Sequence, residues 1–111
     1  MTVPADRFLL AQLSLLPTQF GGRRRPIASG FRPNFRFHRS PTKSFEYLDA
    51  AIHLEGVQWL YPGEVSIVRL QPAFPDLWEE LFEGALIDVS EGPRVIGTAR
   101  VLELWSRGEP Q

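Results

Sequence analysis

Three consecutive arginines, Arg23, Arg24 and Arg25, directly follow the glycine pair Gly21-Gly22. Guanidinium groups bind phosphate oxygens in a bidentate manner, and three adjacent cations raise the local electrostatic potential. A glycine pair indicates a turn, so the arginine side chains are expected at the surface. The pattern suits contact with a phosphate backbone. The alternative is a solvated turn that binds nothing.

Basic and acidic residues are segregated along the chain. Residues 1–45 contain eight basic residues and one acid, whereas residues 46–111 contain four arginines and twelve acids. Such an asymmetry can mark a nucleic-acid-binding face. The alternative is that strands from both halves interleave in one barrel, where opposite charges pair.

No constellation of catalytic or metal-binding residues stands out. His38 and His53 are fifteen residues apart, and the nearby carboxylates Glu46, Asp49 and Glu55 complete no known metal-ligand spacing. The chain has no cysteine, which excludes disulfides and cysteine-ligated metal centres. It also lacks a phosphate-binding glycine loop that ends in lysine and serine or threonine. We therefore expect no catalytic residue, no metal, no cofactor and no nucleotide.

The length of 111 residues suits a single domain spanning residues 1–111. The first residues do not combine a basic start with a long apolar run, as a signal peptide would. No apolar run approaches the length needed to span a membrane. We therefore expect a cytoplasmic protein without a membrane partner.

Alternation of apolar and polar residues predicts strands over most of the chain. Turn signals separate the strands at Gly21-Gly22, Pro62-Gly63 and Glu91-Gly92-Pro93. The chain is therefore expected to be all-β. The candidate core positions are the following residues or their immediate neighbours: Leu13, Leu15, Phe35, Phe37, Val65, Ile67, Val95 and Val101.

The segment 75–83, here called the insert, has a different period. Its apolar pairs, Leu77/Trp78 and Leu81/Phe82, are four residues apart, which predicts a helix of about two turns that projects from one end of the barrel. The four acids within it could steer a basic partner. Aromatic residues on a protruding element are typical of protein interfaces, so all four apolar residues are candidate interface residues. The alternative is that they cap the barrel.

Three motifs occur in order along the chain and together resemble one known domain. They are Gly21-Gly22-Arg23 with Pro26 and Gly30-Phe31-Arg32-Pro33-Asn34-Phe35, then Glu55-Gly56-Val57 with Pro62-Gly63-Glu64, and then Glu91-Gly92-Pro93-Arg94-Val95-Ile96-Gly97. This pattern resembles the third, C-terminal domain of elongation factor Tu over residues 8–104. The resemblance implies a closed six-stranded antiparallel β-barrel, here expected as a free-standing domain without the factor's GTP-binding and middle domains.

The resemblance also implies a possible RNA surface. In the family, the turn of the first motif contacts the T-arm of transfer RNA, which implies such a contact for Arg23 and Arg24, with Arg25 beside them. Gly92 lies in a turn that resembles another RNA-proximal element of the family. Pro93 replaces a glycine of the family pattern and removes a backbone donor, which weakens the case for that turn.

Two functions remain open from the sequence. The first is a non-catalytic protein-interaction or regulatory module related to the translation factor, with the insert as its interface and a protein partner not identified by the residues. The second is a transfer-RNA- or ribosome-binding protein that uses the basic turn 23–25. An enzymatic function has no residue support.

Overall fold

The computed structural model describes residues 8–36, 48–78 and 81–106. Short 3₁₀ helices lie at Thr18–Phe20 and Pro75–Trp78. Within the described ranges, no helix is long and apolar enough to cross a membrane. The strands are β1 (Phe8–Leu15), β2 (Ile27–Ala28), β3 (Asn34–Arg36), β4 (Leu48–Leu54), β5 (Trp59–Leu60), β6 (Val65–Pro72), β7 (Leu86–Glu91) and β8 (Arg94–Ser106).

Six of these strands form a closed antiparallel barrel in the order β1-β6-β4-β3-β7-β8. β1 pairs with β6 on one side and with β8 on the other, and this second pairing closes the ring. The expected closed six-stranded antiparallel barrel is therefore confirmed. β2 and β5 form a separate two-stranded ribbon, in which Ile27 lies opposite Leu60 and Ala28 lies opposite Trp59.

The barrel interior is filled by one face of each strand, as the two-residue period of a strand requires. On β1, alternate residues from Leu9 to Leu15 are buried. The core prediction is confirmed at four positions and lies outside the described residues at Phe37. The confirmed positions are Leu13, Leu15, Phe35 and Val101.

On β6 the core prediction is wrong at Val65, and at Ile67 it is confirmed only through the neighbour Val68, because the opposite face of this strand points inward. Val68 and Leu70 are fully buried, whereas Val65 and Ile67 are exposed. Both faces of this strand carry apolar residues, so alternation alone could not identify the inner one.

At Val95 the core prediction is confirmed only through the neighbour Ile96, because β8 contains a bulge. Val89 pairs with Gly97 but Ser90 pairs with Val95, so Ile96 is an extra residue in the ladder. The bulge changes which face of β8 points inward. Val95 is therefore exposed and Ile96 is buried.

The insert differs from the predicted two-turn helix. It contains a four-residue 3₁₀ helix, Pro75–Trp78. The amide of Leu77 donates to Phe74 O, and the amide of Leu81 donates to Trp78 O. Residues three apart share a side in such turns. Phe74 and Leu77 are accordingly both exposed, while Trp78 and Leu81 are both buried.

The insert folds onto the barrel and does not project from it. It follows Pro72, which pairs with Ala50 near the start of β4, so it crosses that end of the barrel. The Trp78 ring packs edge-on against Phe35, with ring centroids 5.3 Å apart. We call the end of the barrel that the insert crosses the insert end. The opposite end, which carries the 20–23 and 91–94 turns, is called the turn end.

Trp78→Ala should lower the free energy of unfolding by about 3–5 kcal/mol, because it leaves a cavity over Phe35. Leu77→Ala, one residue earlier but exposed, should change it by less than about 0.5 kcal/mol. Urea denaturation followed by tryptophan fluorescence or circular dichroism measures both values. Equal effects of the two substitutions would show that the insert does not cap the barrel.

Candidate binding surfaces at the two barrel ends

The turn end is built from the first and third sequence motifs, which the fold brings into contact. Arg94 Nε donates to Gly21 O at 3.1 Å, and Arg94 Nη2 donates to Gly22 O at 2.6 Å. Arg23 Nη1 donates to Glu91 Oε2 at 2.6 Å. Two turns that are about 70 residues apart in sequence are thereby held together by two arginines.

Gly22 is required by close backbone packing. A side chain at this position would overlap the carbonyl group of Leu16 and approach Pro17 O within 2.8 Å. Its amide donates to Pro17 O at 3.0 Å. Gly21 has a different requirement, because its φ of 94° lies in the left-handed region that favours glycine. The glycine pair therefore fixes the path of the backbone that leads into the three arginines.

Arg23 is engaged within the fold. Its guanidinium carbon lies 4.7 Å from the centroid of the Phe31 ring, and its Nε donates to Arg25 O. Together with the Glu91 ion pair, these contacts leave its side chain 20% exposed. A phosphate could use the Arg23 cation only by competing with Glu91. RNA contact by Arg23 stays a prediction, and its observed role is to brace the two turns.

Arg24 and Arg25 differ from Arg23 in their surroundings. Both are exposed, and no carboxylate of the described residues pairs with either of them. Gly92 is exposed at the tip of the β7–β8 hairpin, where its φ is 58°. Of the predicted RNA-contact residues, Arg24, Arg25 and Gly92 are accessible, although no RNA contact is shown for any of them.

Two aromatic residues at the turn end were not assigned to a site from the sequence. Trp59 is 46% exposed and Tyr61 is 51% exposed, whereas Leu60 between them is buried. Trp59 lies in β5 and Tyr61 directly follows it, before the Pro62-Gly63 turn, so both rings are accessible where the ribbon ends. The sequence does show the alternation Trp59-Leu60-Tyr61. Such an alternation does not reveal which of the side chains are buried and which are exposed.

At the insert end, the four predicted interface residues separate into two pairs. Trp78 is 1% exposed and Leu81 is 5% exposed. They were predicted as interface residues, and this is wrong, because they are used to plug the barrel. Leu77, at 54% exposed, and Phe82, at 61%, remain accessible, together with Phe74, which directly precedes the insert. We call these three exposed side chains the insert face.

Other side chains that could bind a ligand or take part in catalysis are paired with neighbouring side chains of the fold. His53 Nε2 lies 2.9 Å from Gln71 Oε1, and Arg69 Nε lies 2.7 Å from Glu55 Oε1. Across the three described ranges, no group of three histidine, aspartate or glutamate residues is arranged to hold a metal ion. His38 lies outside these ranges. The sequence matches no protein-family model.

Gly22→Ala should destabilise the protein more than Gly30→Ala. The added methyl group would collide with the backbone at position 22, whereas nothing lies within 4 Å of it at position 30, where the cost is only that of the left-handed φ of 95°. We expect a loss of at least about 2 kcal/mol for the first substitution and about 1 kcal/mol for the second. Urea denaturation gives both values. Equal losses would contradict the assigned role of Gly22.

Proposed function

We propose that this protein is a non-catalytic binding module of the cytoplasm, which uses its barrel as a rigid scaffold to dock a protein partner. The observation that carries the proposal is the division of the insert into anchored and exposed side chains. Trp78 and Leu81 hold the segment against the barrel, while Leu77 and Phe82 face outward. A pre-ordered apolar surface loses little conformational entropy when it binds.

The chemistry of the insert also indicates what kind of partner suits it. Exposed leucine and phenylalanine side chains supply apolar contact area. The sequence of the insert adds four acids, Asp76, Glu79, Glu80 and Glu83. A protein that presents an apolar patch with a basic rim is the complementary partner.

We further propose that the barrel is related to the C-terminal domain of elongation factor Tu. Three motifs in the expected order support this, and so does the contact between two of them at the turn end. The ion pair of Arg23 with Glu91 joins the first motif to the third. On this proposal, the protein mimics, docks to or competes with the elongation factor or one of its partners.

The insert face can be tested with the double substitution Leu77→Ser/Phe82→Ser. It should weaken partner binding at least about tenfold, because it removes apolar side chains from the centre of the contact, while the melting temperature changes little. Capture from the native lysate identifies the partner, and calorimetry with the purified partner measures the affinity.

Ile67→Ser is the matched control, since Ile67 is an exposed apolar residue on the barrel wall. It should leave the affinity unchanged. Equal binding by the double variant and the wild-type protein would refute the docking surface. So would equal loss of binding by the double variant and the control.

RNA binding is a second candidate function, favoured by Arg24 and Arg25, which are exposed and pair with no carboxylate among the described residues. If it holds, transfer RNA should bind with an affinity that falls steeply as salt rises, since each neutralised phosphate adds about 0.9 to the salt exponent. Arg24→Ala/Arg25→Ala should reduce that exponent by about 2. A filter-binding titration between low and physiological salt measures it. Binding that is weak and insensitive to salt would exclude this function.

A further inference from the structure

We propose that the β2–β5 ribbon binds single-stranded RNA, with bases stacked on Trp59 and Tyr61 and phosphates held by Arg24 and Arg25. The inference rests on the RNA-binding candidate above and deepens it in two respects. It adds the two aromatic residues to the surface, and it specifies an unpaired strand as the ligand.

Two aromatic side chains are exposed where the ribbon ends. Trp59 in β5 and Tyr61 directly after it flank Leu60, which is buried, and both are about half-exposed. Trp59 lies opposite the small residue Ala28 in the ribbon. Exposed rings two residues apart offer a stacking platform, because every base has a flat face that can stack on them.

Arg24 and Arg25, which pair with no carboxylate in the part of the chain that the structure describes, lie beside this platform. β2 and β5 run antiparallel, so the residues that enter β2 lie next to those that leave β5. Arg24 and Arg25 precede β2, and Tyr61 follows β5. This order places phosphate-binding groups at the edge of the aromatic surface. A strand whose bases stack on the rings can therefore direct its backbone toward the arginines.

The acids of this end already have partners of their own. Glu91 pairs with Arg23 at 2.6 Å, Glu64 Oε1 accepts from the Tyr61 amide at 2.8 Å, and Glu55 pairs with Arg69 at 2.7 Å. Glu91 and Glu55 are thus neutralised by arginines, whereas Glu64 keeps its negative charge. Arg24, Arg25 and Arg94, which donates to carbonyl oxygens, outnumber Glu64 among these residues, so the local charge is positive.

A single strand fits this surface better than a duplex or a protein. Stacking on side chains requires unpaired bases, and duplex RNA does not offer their faces. A stable protein interface covers about 800 Å² per partner around an apolar centre, whereas this ribbon has only two residues in each strand. Two unpaired arginines beside the rings would also have to be desolvated by a protein partner that matched both charges.

The test uses the full chain and a fluorescently labelled oligouridine of about ten nucleotides, a length within the usual range for one barrel. A blunt RNA duplex of the same length is the comparison probe. Fluorescence anisotropy measures both affinities at several salt concentrations. The wild-type protein should bind the single strand more tightly than the duplex.

Trp59→Ala should weaken oligouridine binding at least about fivefold, and Tyr61→Ala should act in the same direction. Trp59→Phe keeps an aromatic face and should retain most of the affinity. Arg24→Ala/Arg25→Ala should reduce the salt exponent by about 1.4. Ile67→Ala is the matched control, because it removes an exposed apolar side chain from the barrel wall, away from both barrel ends. Circular dichroism checks that each variant is folded.

Three results would overturn the inference. The first is equal affinity for single strand and duplex with no effect of Trp59→Ala, which would show binding by charge alone. The second is absence of oligouridine binding at low salt. The third is unchanged RNA binding by Trp59→Ala together with loss of a captured protein. Transfer RNA binding could depend on the arginines but not on Trp59. This result would refute the stacking surface and would still agree with RNA binding as the function.

Discussion

Closure of a six-stranded ring limits the barrel interior to a narrow space that side chains must fill completely. Small residues, among them Ala11, Ala50 and Ala99, share this interior with large ones such as Leu13 and Phe35. Close packing of this kind leaves few voids, so each strand must turn one particular face inward. The ring also has two open ends, and the connecting segments must cover them. The insert and the paired turns follow from this requirement.

The two ends are covered by different chemistry. At the insert end, Trp78 and Leu81 exclude water from the end of the core. At the turn end, Arg94 makes hydrogen bonds to two consecutive carbonyl oxygens that the glycine turn leaves without strand partners. The fork of a guanidinium group suits two neighbouring acceptors, which a single lysine ammonium cannot match in the same geometry. The outer surface over Trp78 and Leu81 is apolar, whereas the outer surface beside Arg94 is polar.

The sequence predicted the strands, the closed barrel and the core positions of β1, because alternation and the three motifs are local signals. It could not identify the buried face of β6, because both faces carry apolar residues, and it located the buried residue near Val95 only to within one position, because the bulge at Ile96 depends on pairing with β7. In the insert, apolar pairs four residues apart suited a helix, yet a three-residue spacing governs what is buried. The contact of Arg23 with Glu91 spans 68 residues, so no local pattern could show that one of the three arginines is already engaged.

Exposure alone does not distinguish a binding surface from ordinary wall residues. Val65 and Ile67 are exposed on the barrel wall, and each lies beside a polar residue of β1, Ser14 and Gln12 respectively. Exposed apolar residues of this kind are common on soluble proteins. The two barrel ends instead combine exposed apolar or aromatic side chains with charges of one sign, which are the acids of the insert and, beside the ribbon, Arg24 and Arg25. This combination, more than the exposed area, makes the two barrel ends better candidates for binding than the wall between them.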